Sequence, residues 1–331
     1  MIRSRLCRIF ATAITIGLCF SHSAWGSSLT FALFGDVYMT AEHQGYLKGM
    51  LNDMAAKNSA LAISTGGIKP VDQGCQDKNL LAAYPVFAQA PLPTFYVPGD
   101  AEWAQCNQNN SGNFVPEERL NLLRKNFYQS DRSLGQPSLP LTRQPNYPEH
   151  MRWTSGPALF VSINIAGNNN LWTKKTQDTA EYQNRNAAAE AWLTAAFAEA
   201  RKQELTMLVI VMHGDPAFNS GQDDIPKGYQ ALHAILKAES ETFPGQVLLV
   251  HGGNGVHRID HPLVDHNHLP LQNFTRVETY GAMQQGWVQV RIERNKKGGD
   301  DPVHRTEFLF ESFPWPPLNM GGEEDSSKPD N

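Results

Sequence analysis

The strongest constraint on the fold is a recurring alternation of short apolar runs with amphipathic stretches along most of the chain. Apolar runs of four to seven residues are typical of buried strands, and the stretches between them are long enough for helices. The pattern therefore predicts a layered α/β domain. The predicted strands of its first part are Leu29–Phe34, Leu61–Ser64, Thr94–Val97, Leu159–Ile165, Met207–Met212 and Val247–Val250.

Three of the intervening stretches carry apolar residues at helical spacing and are predicted as helices. The first follows Pro116, a residue that suits the first turn of a helix. The second covers residues 184–203 and the third covers Tyr229–Phe243. These helices are long enough to cover a sheet.

The last part of the chain has a different pattern. Three apolar runs, Thr275–Glu278, Trp287–Glu293 and Thr306–Phe310, follow one another with no clear helix between them, so we expect them to form an antiparallel second sheet. The four prolines of Gln136–His150 predict a surface loop without helix or central strand. The predicted fold class is therefore α/β, with a two-sheet sandwich flanked by helices.

The first 26 residues have the layout of a secretory signal. Three arginines precede an apolar run over residues 9–20 that is too short to span a bilayer, and Ala24 and Gly26 supply small residues for a signal peptidase. We therefore expect cleavage after Gly26 and a periplasmic or secreted protein. No later stretch of the sequence has the length of a membrane helix, so we expect no membrane span in the mature chain.

The rest of the chain is expected to form one domain over residues 27–315, followed by an acidic, polar and disordered tail over residues 316–331. The sequence contains 28 Lys and Arg against 33 Asp and Glu, which gives a formal charge of −5. Because nucleic-acid binding needs a basic surface, we expect no nucleic-acid partner. The sequence identifies no other partner.

The cysteines are informative because of this expected export. Cys7 and Cys19 would leave with the signal, so the mature chain would keep only Cys75 and Cys106. An even pair in an oxidising compartment favours a disulfide between them. The alternative is two buried free thiols.

The ends of five predicted strands are rich in Gly, Asp and His. Open α/β sheets collect their sites at the carboxyl ends of strands, so these five segments are the candidate site. They read GDVY at 35–38, TGGIK at 65–69, PGDAEW at 98–103, HGDP at 213–216 and HGGNGVH at 251–257.

The order and spacing of these segments resemble the calcineurin-like metallophosphoesterase superfamily. More closely, they resemble a bacterial exported branch whose third motif reads PGDNEW followed shortly by Cys. The resemblance covers residues 29–313 and implies a four-layer fold. Its matching segments are PGDAEWAQC at 98–106, ERLNLLRKNF at 118–127, GNNN at 167–170, AWLTAAFAEA at 191–200 and HGGNGVHRID at 251–260.

The superfamily hydrolyses phosphate esters with two metal ions that are bridged by an aspartate and a hydroxide. The resemblance maps Asp36 and His213 onto two of its metal ligands. Other ligand positions lack a donor side chain here, because glycine and alanine stand in their places. These positions are Gly67 for the bridging aspartate, Ala101 for an asparagine, and Gly253 and Gly255 in the last motif.

Two further positions of the superfamily pattern are changed. Tyr38 stands in place of a metal histidine, and Glu102 stands in place of the catalytic histidine, although Glu at this position is normal for the exported branch. A site with two protein ligands binds a metal weakly. We therefore favour a protein that has lost the dinuclear site and catalysis. Such a protein needs no cofactor and acts in binding or as a scaffold. The alternative is a phosphoester hydrolase with a rebuilt or mononuclear site for manganese, iron or zinc, to which His251 and His257 are candidate replacement ligands.

The acidic and histidine residues at the strand ends also have ordinary structural interpretations. Asp36 and His213 are either residual metal ligands or hydrogen-bonded residues that end a strand. Asp100, Glu102 and Asp215 either form an acidic pocket where the superfamily has its metal site or cap loops. The sequence leaves these alternatives open.

Overall fold

A computed structural model gives the three-dimensional structure of the chain. It describes residues 28–38, 43–70, 73–220, 224–253, 255–281, 283–294 and 306–316. The predicted signal and all of the predicted tail except Pro316 lie outside these ranges.

The strands of the described ranges are β1 (Leu29–Phe34), β2 (Ala62–Ser64), β3 (Thr94–Tyr96), β4 (Thr142–Gln144), β5 (Tyr147–Ser155), β6 (Ala158–Ser162), β7 (Met207–Val211), β8 (Gln246–His251), β9 (Arg258–Asp260), β10 (Phe274–Glu278), β11 (Gly286–Arg294) and β12 (Thr306–Pro314). The helices are α1 (Gln44–Ala56), α2 (Asp77–Leu80), α3 (Tyr84–Ala88), α4 (Pro116–Phe127), α5 (Gly167–Asn170), α6 (Ala180–Lys202) and α7 (Gln230–Thr242).

The first sheet has the strand order β12-β11-β1-β2-β3. Strands β1, β2 and β3 are parallel, whereas β11 is antiparallel to both β1 and β12. Parallel strands are usually covered on both faces, which explains the almost continuous burial of β1. Their carboxyl ends lie at one edge of the sheet.

The second sheet has the strand order β4-β5-β6-β7-β8-β10-β9. Strands β6, β7, β8 and β10 are parallel, and the antiparallel strands lie at the two sides. The parallel strands are again buried along almost their whole length.

The two sheets pack face to face. Phe31 of the first sheet and Phe160 of the second meet edge to face, with ring centroids 5.2 Å apart. Helix α1 buries Leu47 in the same core cluster, whereas α6 and α7 bury Phe197 and Leu236 in a second cluster with the other face of the second sheet. The predicted two-sheet sandwich flanked by helices is confirmed.

The prediction of a separate antiparallel sheet near the end of the chain was wrong. Strand β10 joins the second sheet, parallel to β8, whereas β11 and β12 extend the first sheet beside β1. The connection between β8 and β10 contains the short strand β9 instead of a helix. A parallel pair without a helical crossover leaves no helical periodicity in the sequence, so the pattern gave no sign of it.

Gln136–His150 contains no helix or central strand, as predicted, but it is not a loop throughout. This segment contains β4 and the start of β5, which form an irregular hairpin at the edge of the second sheet. Pro145 lies in its turn, before Asn146 with φ 68°. Proline is tolerated at sheet edges because the missing N–H faces no neighbouring strand.

The three predicted helices correspond to α4, α6 and α7, and α4 begins with Pro116 as expected. Helix α1 was not predicted. Its N-cap, His43, makes no side-chain capping bond, and Gly45 and Gly49 interrupt its apolar pattern. Its stability comes from the buried residues Leu47 and Met50 instead.

Cys75 and Cys106 form the predicted disulfide, with Cα atoms 5.6 Å apart. Both residues are fully buried. The bond ties the segment after β2 to the segment after β3.

None of the helices in the described ranges combines the length and the apolar character needed to cross a bilayer.

Candidate functional site

Three of the segments at the strand ends converge at Gly99. A Cβ placed on Gly99 would lie 2.6 Å from Glu102 Oε2, 2.7 Å from the Gly67 nitrogen and 2.8 Å from His213 Cε1. These atoms belong to the segments after β2, β3 and β7, so glycine is needed for their close approach. The convergence is the one expected at the carboxyl edge of parallel strands.

Glu102 places its carboxylate at the centre of this convergence. Its Oε2 accepts the N–H of Gly99 at 2.5 Å and that of Gly67 at 3.1 Å, and its Oε1 accepts the N–H of Lys69 at 3.2 Å. The Tyr96 hydroxyl lies 3.5 Å from Oε2. Because N–H groups stabilise a buried carboxylate, Glu102 acts as an internal anion that joins the segments after β2 and β3.

Asp36 occupies the space that a side chain at position 67 would need. A Cβ placed on Gly67 would lie 2.0 Å from Asp36 Oδ1. Both residues have left-handed backbone, with φ 51° at Asp36 and 69° at Gly67. The Asp36 N–H donates to the Gly66 carbonyl at 2.8 Å, and its carbonyl accepts from Gln285 Nε2 at 3.0 Å. Position 67 therefore has no room for a bridging carboxylate.

The buried surroundings of Asp36 favour its neutral form. Burial raises the pKa of Asp36 to about 6, although the nearby His213 and the Gly253 N–H act to lower it. The carboxylates of Glu102 and Asp100 raise the pKa further by repulsion.

His213 lies beside Asp100. Its Nε2 is 4.0 Å from Asp100 Oδ1, and its Nδ1 donates to the Thr65 carbonyl at 2.7 Å. Burial acts to lower the pKa of His213, but the surrounding carboxylates, Asp100 first, outweigh burial and raise it. Asp100 Oδ1 also accepts the N–H of Gly167 at 2.7 Å. A protonated His213 would balance part of the negative charge.

Asp215 and His257 are engaged elsewhere. Asp215 is half-buried, and its Oδ1 accepts the Ala217 N–H at 2.9 Å. The two ring nitrogens of His257 lie 2.9 Å from the Glu278 carbonyl and 2.8 Å from the Ser312 hydroxyl. The structure therefore does not bring His257 to the residues that meet near Gly99. These residues are Asp36, Asp100, Glu102 and His213, and together they are here called the cleft.

His251 belongs to a separate buried group, the outer charged cluster, which comprises His251, Arg258, Arg276 and Glu278. His251 lies opposite Glu278 in the pairing of β8 with β10, and Arg258 lies opposite Glu278 in the pairing of β9 with β10. Burial lowers the pKa of His251 to about 4 and raises that of Glu278 to about 6. Within the described ranges, His251 Nε2 and Arg276 Nη1 have no hydrogen-bond partner.

The residues of the cleft do not fit a two-metal centre. Asp36 fills the space beside the bridging position, and Asp100 and Glu102 already accept backbone N–H groups. The exposed fractions of these side chains are small: 9% for Asp36, 7% for Asp100, 0% for Glu102 and 6% for His213. Among the residues that the structure describes, no three His, Cys, Asp or Glu side chains are arranged to hold one metal ion.

One supporting element was not recognised as part of the site from the sequence. Residues 168–171 all have positive φ, between 48° and 63°, and form a left-handed turn that directs the Gly167 N–H at Asp100. The buried Arg185 holds this turn through a bond of 2.6 Å from Nη1 to Asn170 Oδ1. The asparagine run was the available signal, because asparagine tolerates left-handed backbone better than most residues.

Comparisons with known proteins identify the fold. No protein-family model matches the chain, and no curated protein matches it significantly. A dimetal phosphatase from Danio rerio is similar in structure, with a TM-score of 0.51 and 11% sequence identity, over 86% of this chain and 99% of that one.

Two larger solved structures also match. A putative 5′-nucleotidase from Staphylococcus aureus has a TM-score of 0.44 and 12% identity, over 90% of this chain and 56% of that one. A purple acid phosphatase from yellow lupin seeds has a TM-score of 0.46 and 9% identity, over 85% of this chain and 53% of that one. This chain thus spans about half the length of these two proteins. Together with the two flanked sheets, the similarity to the dimetal phosphatase shows that the chain has the metallophosphoesterase fold.

Proposed function

We propose that this is an exported protein of the metallophosphoesterase fold that has lost the two-metal centre and phosphoester hydrolysis, and that it acts in binding or as a scaffold. The observation that carries the proposal is the hydrogen bonding of Glu102, whose carboxylate accepts the N–H groups of Gly67, Lys69 and Gly99. Because Oε2 already accepts two N–H groups, a metal ion at this oxygen would have to displace at least one of them.

The packing of Asp36 on Gly67 supports the same proposal. A bridging carboxylate holds two like-charged ions a few ångströms apart, and glycine cannot supply it. The space beside Gly67 is taken by Asp36. Restoring a bridge would therefore need a new side chain at position 67 and a new position for Asp36.

Export is supported by the Cys75–Cys106 disulfide, because disulfides persist mainly in oxidising compartments. The PGDAEW segment at 98–103 supports a relation to the exported branch that the sequence resembles. We therefore propose that the mature protein begins at residue 27 and lies in the periplasm or outside the cell.

A second candidate function is a hydrolase with a mononuclear metal site. It is favoured by the proximity of His213 to Asp100, at 4.0 Å, and by Asp36 nearby. Manganese, iron or zinc at such a site would share Asp100 with the Gly167 N–H that its Oδ1 already accepts.

A hydrolysis assay separates the two candidates. Mature protein is incubated with p-nitrophenyl phosphate and with bis(p-nitrophenyl) phosphate, in the presence of manganese, iron or zinc. We expect no metal-dependent release of nitrophenol above buffer. Metal-dependent activity that is lost in Asp36→Ala or His213→Ala, but kept in the exposed control Glu117→Ala, would contradict the proposal and support the mononuclear hydrolase.

A further inference from the structure

We propose that a cavity beside α7, here called the α7 cavity, binds a small amphiphilic anion, meaning a molecule with an apolar body and one carboxylate or similar group. The cavity has a volume of about 420 Å³ and lies between α7, three residues that precede it (Phe218, Ser220 and Ile225) and residues 262–264. Sites for small molecules typically have volumes of about 300–1,000 Å³. The cavity shares no lining residue with the cleft, so this inference does not depend on whether the cleft binds metal.

The wall opposite α7 is apolar. It is formed by the side chains of Phe218, Ile225, Pro262, Leu263 and Val264. Leu263 is buried, and Phe218 and Ile225 pack against the core cluster under α7. A wall that is backed by the core is fixed in position, so it can hold an apolar body without ordering new side chains.

Helix α7 contributes the polar side of the cavity. Gln230, His233, Ala234 and Lys237 line it, and their spacing of three and four residues places them on one face of the helix. Within the described ranges, Lys237 forms no ion pair, although it is half-buried. A cation at the edge of an apolar cavity complements a ligand whose apolar body ends in an anion.

His233 supplies a second polar group. It is 8% exposed, and its Nε2 donates to the Pro216 carbonyl at 2.6 Å. Burial lowers the pKa of His233, although the bond to Pro216 and the charge of Asp215 oppose the shift, so the ring is neutral. Nδ1 is then an acceptor, and no described residue donates to it. It can accept from a ligand hydroxyl or N–H and so orient the ligand.

The inference is tested by binding of a fluorescent amphiphilic anion, 8-anilino-1-naphthalenesulfonate, to the mature protein, followed by competition with decanoate and with decanol. Ala234→Trp fills the cavity from an exposed helix position. Ala238→Trp is its matched control, because Ala238 is also exposed on α7 but does not line the cavity. Lys237→Met removes the charge and keeps most of the length of the side chain.

We expect one saturable site in the wild type, at least about tenfold weaker binding in Ala234→Trp, and unchanged binding in Ala238→Trp. Lys237→Met should weaken decanoate by about tenfold, as for a hydrogen bond to a charged group, and decanol by less than about twofold. Far-ultraviolet circular dichroism checks that each variant is folded.

The proposal is overturned if the wild type shows no saturable binding, if both tryptophan variants bind alike, or if Lys237→Met affects decanoate and decanol equally. A dimer in solution that Ala234→Trp dissociates would assign the cavity to a second copy of the chain and would also overturn it. Absence of phosphoesterase activity affects none of these outcomes, so the inference and the proposed function fail separately.

Discussion

Glu102 and Glu278 are both fully buried glutamates near strand ends, but their surroundings differ. The Glu102 carboxylate receives the N–H groups of Gly67, Lys69 and Gly99. The Glu278 carboxylate lies 2.9 Å from Arg258 Nε, yet the contact is out of line for a hydrogen bond. Burial raises the pKa of Glu278 to about 6, and the charge of Arg258 only partly opposes this shift.

The difference shows where the molecule has compensated for the burial of charge. The cleft has done so with its own backbone, because N–H groups from two segments surround one carboxylate. The outer charged cluster has done so only in part: Arg276 pairs with Asp260, but His251 Nε2 and Arg276 Nη1 have no hydrogen-bond partner among the described residues. We therefore expect the cleft to depend on Glu102 for stability, and the outer charged cluster to respond to pH.

Glu102→Ala should have the largest effect, because it leaves three buried N–H groups without their acceptor. We expect the free energy of unfolding to fall by about 3–5 kcal/mol, because each buried N–H group left without an acceptor costs about 1–3 kcal/mol. Urea unfolding at pH 7 measures the change. The control Glu117→Ala, at an exposed position of α4, should stay within about 0.5 kcal/mol of the wild type. A loss of less than about 1 kcal/mol for Glu102→Ala, which is typical of surface positions, would show that the cleft does not depend on Glu102 for stability.

Gly67→Ala tests the packing of Asp36 against the bridging position. The new Cβ would meet Asp36 Oδ1 at 2.0 Å with φ at 69°, so we expect a loss of about 2–3 kcal/mol from overpacking and left-handed strain. The control is Gly45→Ala in α1, where a Cβ meets nothing within 4 Å and should stabilise the helix by up to about 1 kcal/mol. Equal effects at the two positions would contradict the close packing.

The smallest effect concerns pH and the outer charged cluster. The pKa of Glu278 is about 6 in the folded chain against an ordinary 4.5, so its contribution to stability is present below pH 4.5 and is lost as pH rises through 6. Glu278→Gln removes this dependence. Relative to the wild type, the variant should gain about 1–2 kcal/mol in the free energy of unfolding between pH 4.5 and pH 6.5.

The buried His251 acts in the opposite direction. Its pKa is about 4 against an ordinary 6.5, so its contribution is present above pH 6.5 and is lost as pH falls through 4. For this reason we compare the free energy of unfolding of Glu278→Gln with that of the wild type, by urea unfolding at several pH values. The difference isolates Glu278, which the wild-type curve alone does not. A difference that stays constant with pH would contradict the raised pKa of Glu278.

The sequence predicted the parts of this molecule that depend on local pattern. Apolar runs marked most of the strands, and the Gly, Asp and His segments at their ends marked the loops that meet at Gly99. The even number of cysteines left after the expected signal indicated the disulfide between Cys75 and Cys106.

What the sequence could not predict depends on contacts between distant segments. The acceptor role of Glu102 requires the N–H of Gly67, which lies 35 residues away along the chain. His251 lies opposite Glu278 of β10, and the placement of β10 beside β8 was itself mispredicted. Hydrogen bonds between side chains and backbone of remote loops leave no periodic signal in a single sequence.

The most direct test of the account is the metal content of the purified mature protein. The protein is saturated with manganese, zinc or iron, dialysed against metal-free buffer and analysed by inductively coupled plasma mass spectrometry. We expect far less than one metal ion per chain, with Asp36→Ala and His213→Ala indistinguishable from the wild type. One or two tightly held ions per chain, lost in either variant, would contradict it.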